Sequence, residues 1–201
     1  MNDKMELDEI VRIYHPVSDA GIDALQNAAE LICFKKGDVI IKQNSTGDKS
    51  SSIYIIKSGV LRSFHEENGD SDTIWFATSG DLVASMHPFY ANLPAIANIE
   101  ALVNSTAYRI SKKDFDNLLS ESQELATWAY KIAIEAIFAL ERRYSYIGNG
   151  DAYMRYKRFM EMRQKEVIQQ IPLKYIAEYL KIAPQTLSKL RKLHAKELCG
   201  I

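Results

Sequence analysis

Apolar and polar positions change their period twice along this chain. Residues 5–14 and 18–31 carry helical spacing and read as two short helices. Pro16 separates them, Ser18 stands as the N-cap of the second, and Asp19 and Asp23 fall in its first turns. From Leu31 to Ile110 the period becomes two. Apolar, β-branched runs lie at Leu31–Phe34, Val39–Ile41, Ile53–Ile56, Val60–Phe64, Thr73–Ala77, Ile99–Val103 and Ala107–Ile110. Gly-containing turn signals punctuate them: Lys36-Gly37-Asp38, Thr46-Gly47-Asp48, Ser58-Gly59, Asn68-Gly69-Asp70 and Ser79-Gly80-Asp81. Short strands with such turns predict a sandwich or barrel.

Ser111-Lys112-Lys113-Asp114-Phe115 returns the chain to helix, and residues 122–147 read as one long helix without Gly or Pro. Between Leu125 and Leu140, 13 of 16 positions are apolar or aromatic, interrupted by Thr127, Lys131 and Glu135. A surface helix needs one apolar stripe; one apolar nearly all round must be covered on two sides. The barrel supplies one cover, and a second copy of the helix supplies the other, with Ala129, Ala133, Ala136 and Ala139 allowing close approach. A central core helix of a monomer is the alternative. Gly148-Asn149-Gly150-Asp151 ends this helix as a hinge. A helix over 151–168 is predicted next, then Pro172–Leu180, then Pro184–Lys196, with a basic turn over Leu193–Gly200.

Charge adds what periodicity does not show. The formal net charge is only −1. Residues 1–150 hold 14 Lys/Arg against 21 Asp/Glu, a balance of −7; residues 151–201 hold 11 against 5, a balance of +6. An acidic body with a basic appendage points to a polyanionic partner. The two cysteines, Cys33 and Cys199, are far apart and form no CxxC, which argues against an iron–sulfur cluster or structural zinc. The polar N-terminus predicts no signal peptide, and Leu125–Leu140 is too short and too charged for a membrane span, so a cytoplasmic protein with reduced thiols is expected.

The basic segment carries the most specific motif. Pro172 opens a helix whose Ile176, Ala177 and Leu180 share an apolar face. Lys181-Ile182-Ala183 forms a three-residue turn, and Pro184 opens a second helix that buries Leu187 and Leu190. This is the spacing of a helix-turn-helix. Gln185, Ser188 and Lys189, at the start of the second helix, have the chemistry to read base edges. Lys174, Thr186, Arg191 and Lys192 suit phosphates. The same pattern also describes an ordinary helical hairpin; the basic charge concentrated there favours DNA.

With those residues in view, the chain resembles the Crp/Fnr superfamily of bacterial regulators over nearly its whole length. The barrel resemblance rests on Lys36-Gly37-Asp38-Val39-Ile40, Ile53-Tyr54-Ile55-Ile56-Lys57-Ser58-Gly59-Val60-Leu61 and Ser79-Gly80-Asp81-Leu82. The second part is Ile176-Ala177-Glu178-Tyr179-Leu180 followed by Thr186-Leu187-Ser188-Lys189. The family's recognition helix has an acid or amide followed by Ser and Arg three and four residues later; here those positions are Gln185, Ser188 and Lys189. The resemblance implies an α+β fold: an N-terminal double-stranded β-helix barrel of the cyclic nucleotide-binding type over residues 1–121, a dimerisation helix over 122–147, and a helix-turn-helix over 148–201. The implied function is sequence-specific transcriptional regulation by a cytoplasmic homodimer on double-stranded DNA. RNA polymerase and an unidentified small effector are further implied partners; no cofactor, metal or membrane is.

Two departures from the family modify this. Cyclic-nucleotide binders use a Glu for the ribose and an Arg for the cyclic phosphate; the aligned positions here are Ser85 and Ala95, and Ala84–Ala95 holds no Arg or Lys. Burying a phosphate without cationic or dense N–H partners is costly, so cyclic AMP is not the expected ligand. Ser85, Met86, His87, Phe89, Tyr90 and Ala95 remain a candidate pocket for a less charged effector, although His87 also reads as a plain loop histidine. The second departure is the wing: the family's hairpin after the recognition helix is expected to be truncated or absent. Two other functions make different demands on the sequence. A cupin-type metalloenzyme needs clustered histidines, whereas His15, His65, His87 and His194 are scattered without an HxH, so no enzyme is expected. An interaction module with a vestigial helix-turn-helix is the alternative, because Pro184 occupies a position that often contacts DNA.

Overall fold

The computed structural model describes residues 5–148, 150–162 and 165–199. The chain opens with α1 (Leu7–Tyr14) and α2 (Asp19–Ala28), continues through eight strands, and closes with six helices. The strands are β1 (Glu30–Phe34), β2 (Val39–Ile41), β3 (Ser52–Ser58), β4 (Val60–Glu67), β5 (Asp70–Thr78), β6 (Leu82–Val83), β7 (Asn98–Ala101) and β8 (Ser105–Ser111), with a π-helical turn at His87–Ala91 before β7. The helices are α3 (Lys112–Glu121), α4 (Gln123–Gly148), α5 (Ala152–Glu161), α6 (Lys165–Gln169), α7 (Leu173–Tyr179) and α8 (Pro184–Cys199).

The strands form two four-stranded antiparallel sheets, ordered β1-β8-β3-β6 and β2-β7-β4-β5. This is the double-sheet barrel that the alternating runs and Gly turns predict. The β3 run Ile53-Tyr54-Ile55-Ile56 is apolar on both faces because both faces are covered. Tyr54 and Ile56 point into the barrel with Leu61, Ala77, Ile99 and Ala107. Ile53 and Ile55 point outward under α1 and α4, among Ile10, Val11, Leu125 and Trp128. A continuous apolar run is the signature of a strand buried twice. Gly59, at φ +102, cannot be replaced: a Cβ there would stand 2.1 Å from the Ser105 hydroxyl.

Ser18 caps α2 as its sequence predicts, and two further helix starts are capped in the same way. Ser18 accepts from the Gly21 N–H, Ser111 from Asp114 and Asp151 from Met154. The first half of α4 is anchored: the buried Trp128 indole donates to the Val11 carbonyl at 3.1 Å, and its ring meets Phe115. Beyond Ile132 the helix leaves the barrel, and Ile137, Phe138, Leu140 and Tyr144 are exposed on the single chain.

Three sequence expectations change. The expected helix 151–168 is broken into α5 and α6. Phe159 and Ile168 are both buried in one apolar cluster, yet nine residues apart on a continuous helix they would face opposite sides. The expected basic turn from Leu193 is helix instead, as α8 runs on to Cys199. The segment lacks a breaker, and its His194 packs edge-on against Tyr156. Gly200, the end of that expected turn, lies outside the described residues, as does Asn149 of the hinge. The third change is a short strand, β6, which the sequence reading passed over and which pairs with β3. No helix among the described residues is long and apolar enough to cross a membrane.

Candidate nucleic-acid interface

The basic segment folds as a helical pair on one side of the barrel. Ile176, Ala177, Leu180 and Leu187 are buried together with Tyr156, Phe159, Ile168 and Ile171. The turn between α7 and α8 is a complete Schellman motif. The Lys181 N–H reaches the Glu178 carbonyl and the Ile182 N–H reaches the Ala177 carbonyl, each at 3.0 Å. Lys181 takes the left-handed position at φ 54, where glycine is the unstrained choice.

On α8, Gln185, Ser188, Lys189 and Lys192 are all exposed. Their spacing of three, four and seven residues gathers them into one polar stripe, opposite the buried Leu187. The stripe starts at the N-terminal end of the helix. Ser188 donates its hydroxyl to the Pro184 carbonyl at 3.1 Å, so toward a partner its oxygen is an acceptor. The remaining residues expected to meet DNA are spread differently. Lys174 is exposed in the first turn of α7, its Nζ 4.6 Å from the centre of the Tyr175 ring. Thr186 is half-buried. Arg191 is exposed but hydrogen-bonds the Tyr156 phenol, opposing the upward push that burial gives that group's pKa.

The segment expected to line an effector pocket is not gathered around one space. Phe89 is buried in the helix-side core, 5.7 Å from Phe115 between ring centres. Ala95 is buried in the barrel core, exchanging backbone hydrogen bonds with Asn44 and Ser45. Met86, His87 and Tyr90 are exposed, and Ser85 is half-buried. The four histidines sit apart, at the end of α1, on β4, in the π-helical turn and on α8. Among the described residues, no group of three or more His, Cys, Asp or Glu is placed to hold a metal ion.

Sequence reasoning missed a buried charge network at the junction of barrel and helices. Arg62 on β4 is 2% exposed. Its Nε donates to Thr73 at 2.8 Å, one terminal nitrogen to Glu100 at 2.9 Å, and the other to Ser71 at 3.0 Å and Glu178 of α7 at 2.6 Å. The guanidinium lies 4.2 Å from the Phe64 ring centre and 3.7 Å from that of Tyr175. The sequence marks each residue but not the pairing: Arg62 stands as a charge within the strand Val60–Phe64, and Glu178 as one between the apolar Ala177 and Tyr179. A smaller cationic group lies at the hinge. Arg155 donates to the carbonyls of Leu180 and Gly150, and Arg143 of α4 stacks on Tyr179.

Residues 31–122 match the family described as "Cyclic nucleotide-binding domain". Over 94% of its length, the chain is 25% identical to 86% of the protein described as "Probable transcriptional regulator flp" from Lacticaseibacillus casei. Among solved structures it is similar to FixK2 from Bradyrhizobium japonicum, with TM-score 0.72 and 15% identity over 86% of each chain. It is also similar to a CooA mutant from Carboxydothermus hydrogenoformans, with TM-score 0.69 and 17% identity over 98% of this chain and 88% of that one. At these identities the structural likeness concerns the fold, and it extends through barrel, long helix and C-terminal helices.

Proposed function

We infer that this chain belongs to the Crp/Fnr superfamily and is a DNA-binding transcriptional regulator acting as a homodimer. The observation that carries this reading is the exposed stripe Gln185, Ser188, Lys189 and Lys192, at the leading end of a helix held by a tight turn. It stands in the segment that carries the chain's excess of positive charge. Gln185, Ser188 and Lys189 read base edges in the major groove, while Lys174, Thr186, Arg191 and Lys192 hold phosphates. Support for the dimer comes from α4, whose outer half presents Ile137, Phe138, Leu140 and Tyr144 to solvent in one chain. Pairing α4 about a two-fold axis would set two recognition helices about one DNA turn apart, on the order of 34 Å.

In this reading residues 1–121 are the sensor, 122–147 the dimer helix and 148–201 the DNA-binding unit, working in the cytoplasm and contacting RNA polymerase when bound. Cyclic AMP is not the effector, because Ala84–Ala95 offers no cation to a phosphate and Ala95 is packed into the barrel core. An effector of lower charge, meeting the exposed Met86, His87 and Tyr90 beside the half-buried Ser85, is the proposal for the sensor. The test is selection of duplexes from a random library with the purified protein, followed by titration of the selected operator against a scrambled one. Enrichment of a two-fold symmetric sequence is the expected result. Failure to enrich any sequence would replace this reading with that of an interaction module.

A further inference from the structure

We propose that Arg62 is a positioning residue for DNA recognition: from the barrel, it sets the angle at which the recognition helix α8 is presented. The proposal rests on the DNA-binding reading above. Between the end of α4 at Gly148 and the start of α5 at Ala152, Gly150 adopts φ +94. A glycine leaves the backbone many choices, so the orientation of the C-terminal helices is set by contacts. The strongest of these converge on one side chain.

Arg62 spends its donors on four partners, three on its own sheet and one, Glu178, on α7. Glu178 is held in turn by the hydroxyls of Thr73, at 2.7 Å, and Ser71, at 3.3 Å. A guanidinium between two rings, with hydrogen bonds from all three of its nitrogens, has one geometry rather than several. The carboxylate it grips is therefore fixed in position, and α7 with it. An apolar seam extends the contact: Phe76 of β5 meets Tyr179 at 5.6 Å and Phe159 at 6.3 Å between ring centres. Asp72 pairs with Lys181 at the rim. Because only four residues, Leu180–Ala183, join α7 to α8, and Leu187 is buried in the same cluster, the angle of α7 becomes the angle of α8. α4 is meanwhile tied through Trp128 to Val11 of α1, and both pack with Ile53 and Ile55 of the barrel in one apolar cluster. A continuous packed path thus runs from the dimer helix through the barrel and Arg62 to the recognition helix, in parallel with the hinge.

In a dimer, that path controls the distance between two recognition helices rather than what either one reads. The test is therefore a ladder of palindromic operators in which the half-site spacing changes one base pair at a time, together with a duplex carrying one half-site. The proteins are wild type, Arg62→Leu, Glu178→Gln and the charge-swapped Arg62→Glu/Glu178→Arg. Wild type should prefer one spacing. Arg62→Leu should bind the single half-site within about twofold of wild type yet lose roughly tenfold of its spacing discrimination, within the usual range of inter-site coupling. Glu178→Gln keeps the hydroxyl partners and should lose less. The charge swap should recover part of the preference. A melting curve accompanies each variant, and if Arg62→Leu does not fold, Glu178→Gln decides. Undiminished spacing discrimination in the folded variants overturns the inference alone. Wild type that binds no duplex at all overturns the DNA-binding reading itself.

Discussion

Replacing Ile137 and Leu140 together by Gln should split the dimer without disturbing the protomer. Both side chains lie on the outer half of α4, where they are 52% and 61% exposed in one chain. Full burial of a large aliphatic side chain is worth about 1.5–3 kcal/mol. Covering the exposed half of each therefore contributes about 1 kcal/mol. Two-fold symmetry doubles the pair to four side chains, or about 4 kcal/mol, and every 1.4 kcal/mol is a factor of about ten in Kd. The dimer constant should weaken roughly a thousandfold. Gln keeps the helix propensity high, so far-UV circular dichroism should match wild type. Sedimentation equilibrium over a wide concentration range measures the change. Val39→Gln, at 51% exposure on the barrel, is the control and should leave the constant alone. A dimer constant within about threefold of wild type in the double variant would refute the α4 interface, as would a wild type that sediments as a monomer at micromolar concentration.

On DNA, Lys189→Ala or Gln185→Ala should cost about 1–3 kcal/mol at the selected operator and relax preference there, whereas Lys174→Ala should weaken all duplexes alike and reduce the salt slope by about one ion; equal loss on both duplexes for Lys189→Ala would remove its base-reading role. Calorimetry with cyclic AMP should show no low-micromolar binding, and such binding would sink the reading of Ser85 and Ala95. Lys181→Gly relieves a left-handed lysine, worth about 1 kcal/mol, and gives up an exposed pair with Asp72 worth about 0.5 kcal/mol, so a small net gain in thermal stability is expected and a loss would mean that the pair dominates. Tyr14 donates its phenol to the Gly80 carbonyl at 3.1 Å, and burial lifts its pKa from the ordinary 10.0 to about 12. A raised acid pKa means stability that is intact below pH 10 and falls as pH climbs through 12; Tyr14→Phe should blunt that fall in alkaline melts, and an unchanged pH profile would exclude the contribution.

The barrel and the helix-turn-helix were legible because local chemistry and global packing agree there. Strand alternation, positive-φ glycines and N-caps each specify the same element that packing then uses. The long helix was legible for the opposite reason: its all-round apolar surface violates the pattern of a one-faced helix, and in the single chain α4 leaves Ile137, Phe138, Leu140 and Tyr144 exposed beyond the barrel. The break between α5 and α6 was not legible, since no Gly or Pro marks it; it exists because Phe159 and Ile168 must enter one cluster. The Arg62 network was hidden by a different limit. Periodicity assigns a residue to a face but cannot say that the outer face of β4 and β5 will be roofed by a helix more than a hundred residues later. The segment at Ser85–Ala95 was read as one lining, yet its members divide between two cores because the π-helical turn sends Phe89 one way and Ala95 another.

The apolar cluster under the helix-turn-helix includes Val60, Phe76 and Leu102, all from the barrel. The C-terminal helices therefore do not own a complete interior. On the ribosome, strands β1 to β8 emerge before residue 150 is made, and domains generally fold in order of synthesis. The last fifty residues would then condense on a surface already in place, with the barrel acting as the template for the reader it carries. Excised alone, those residues would leave Phe159, Ile176 and Tyr179 without their floor and should behave as a loose, fluctuating helical ensemble. Severing this chain at the hinge would accordingly not yield a portable DNA-binding module, and fusions built that way should keep the β4–β5 hairpin.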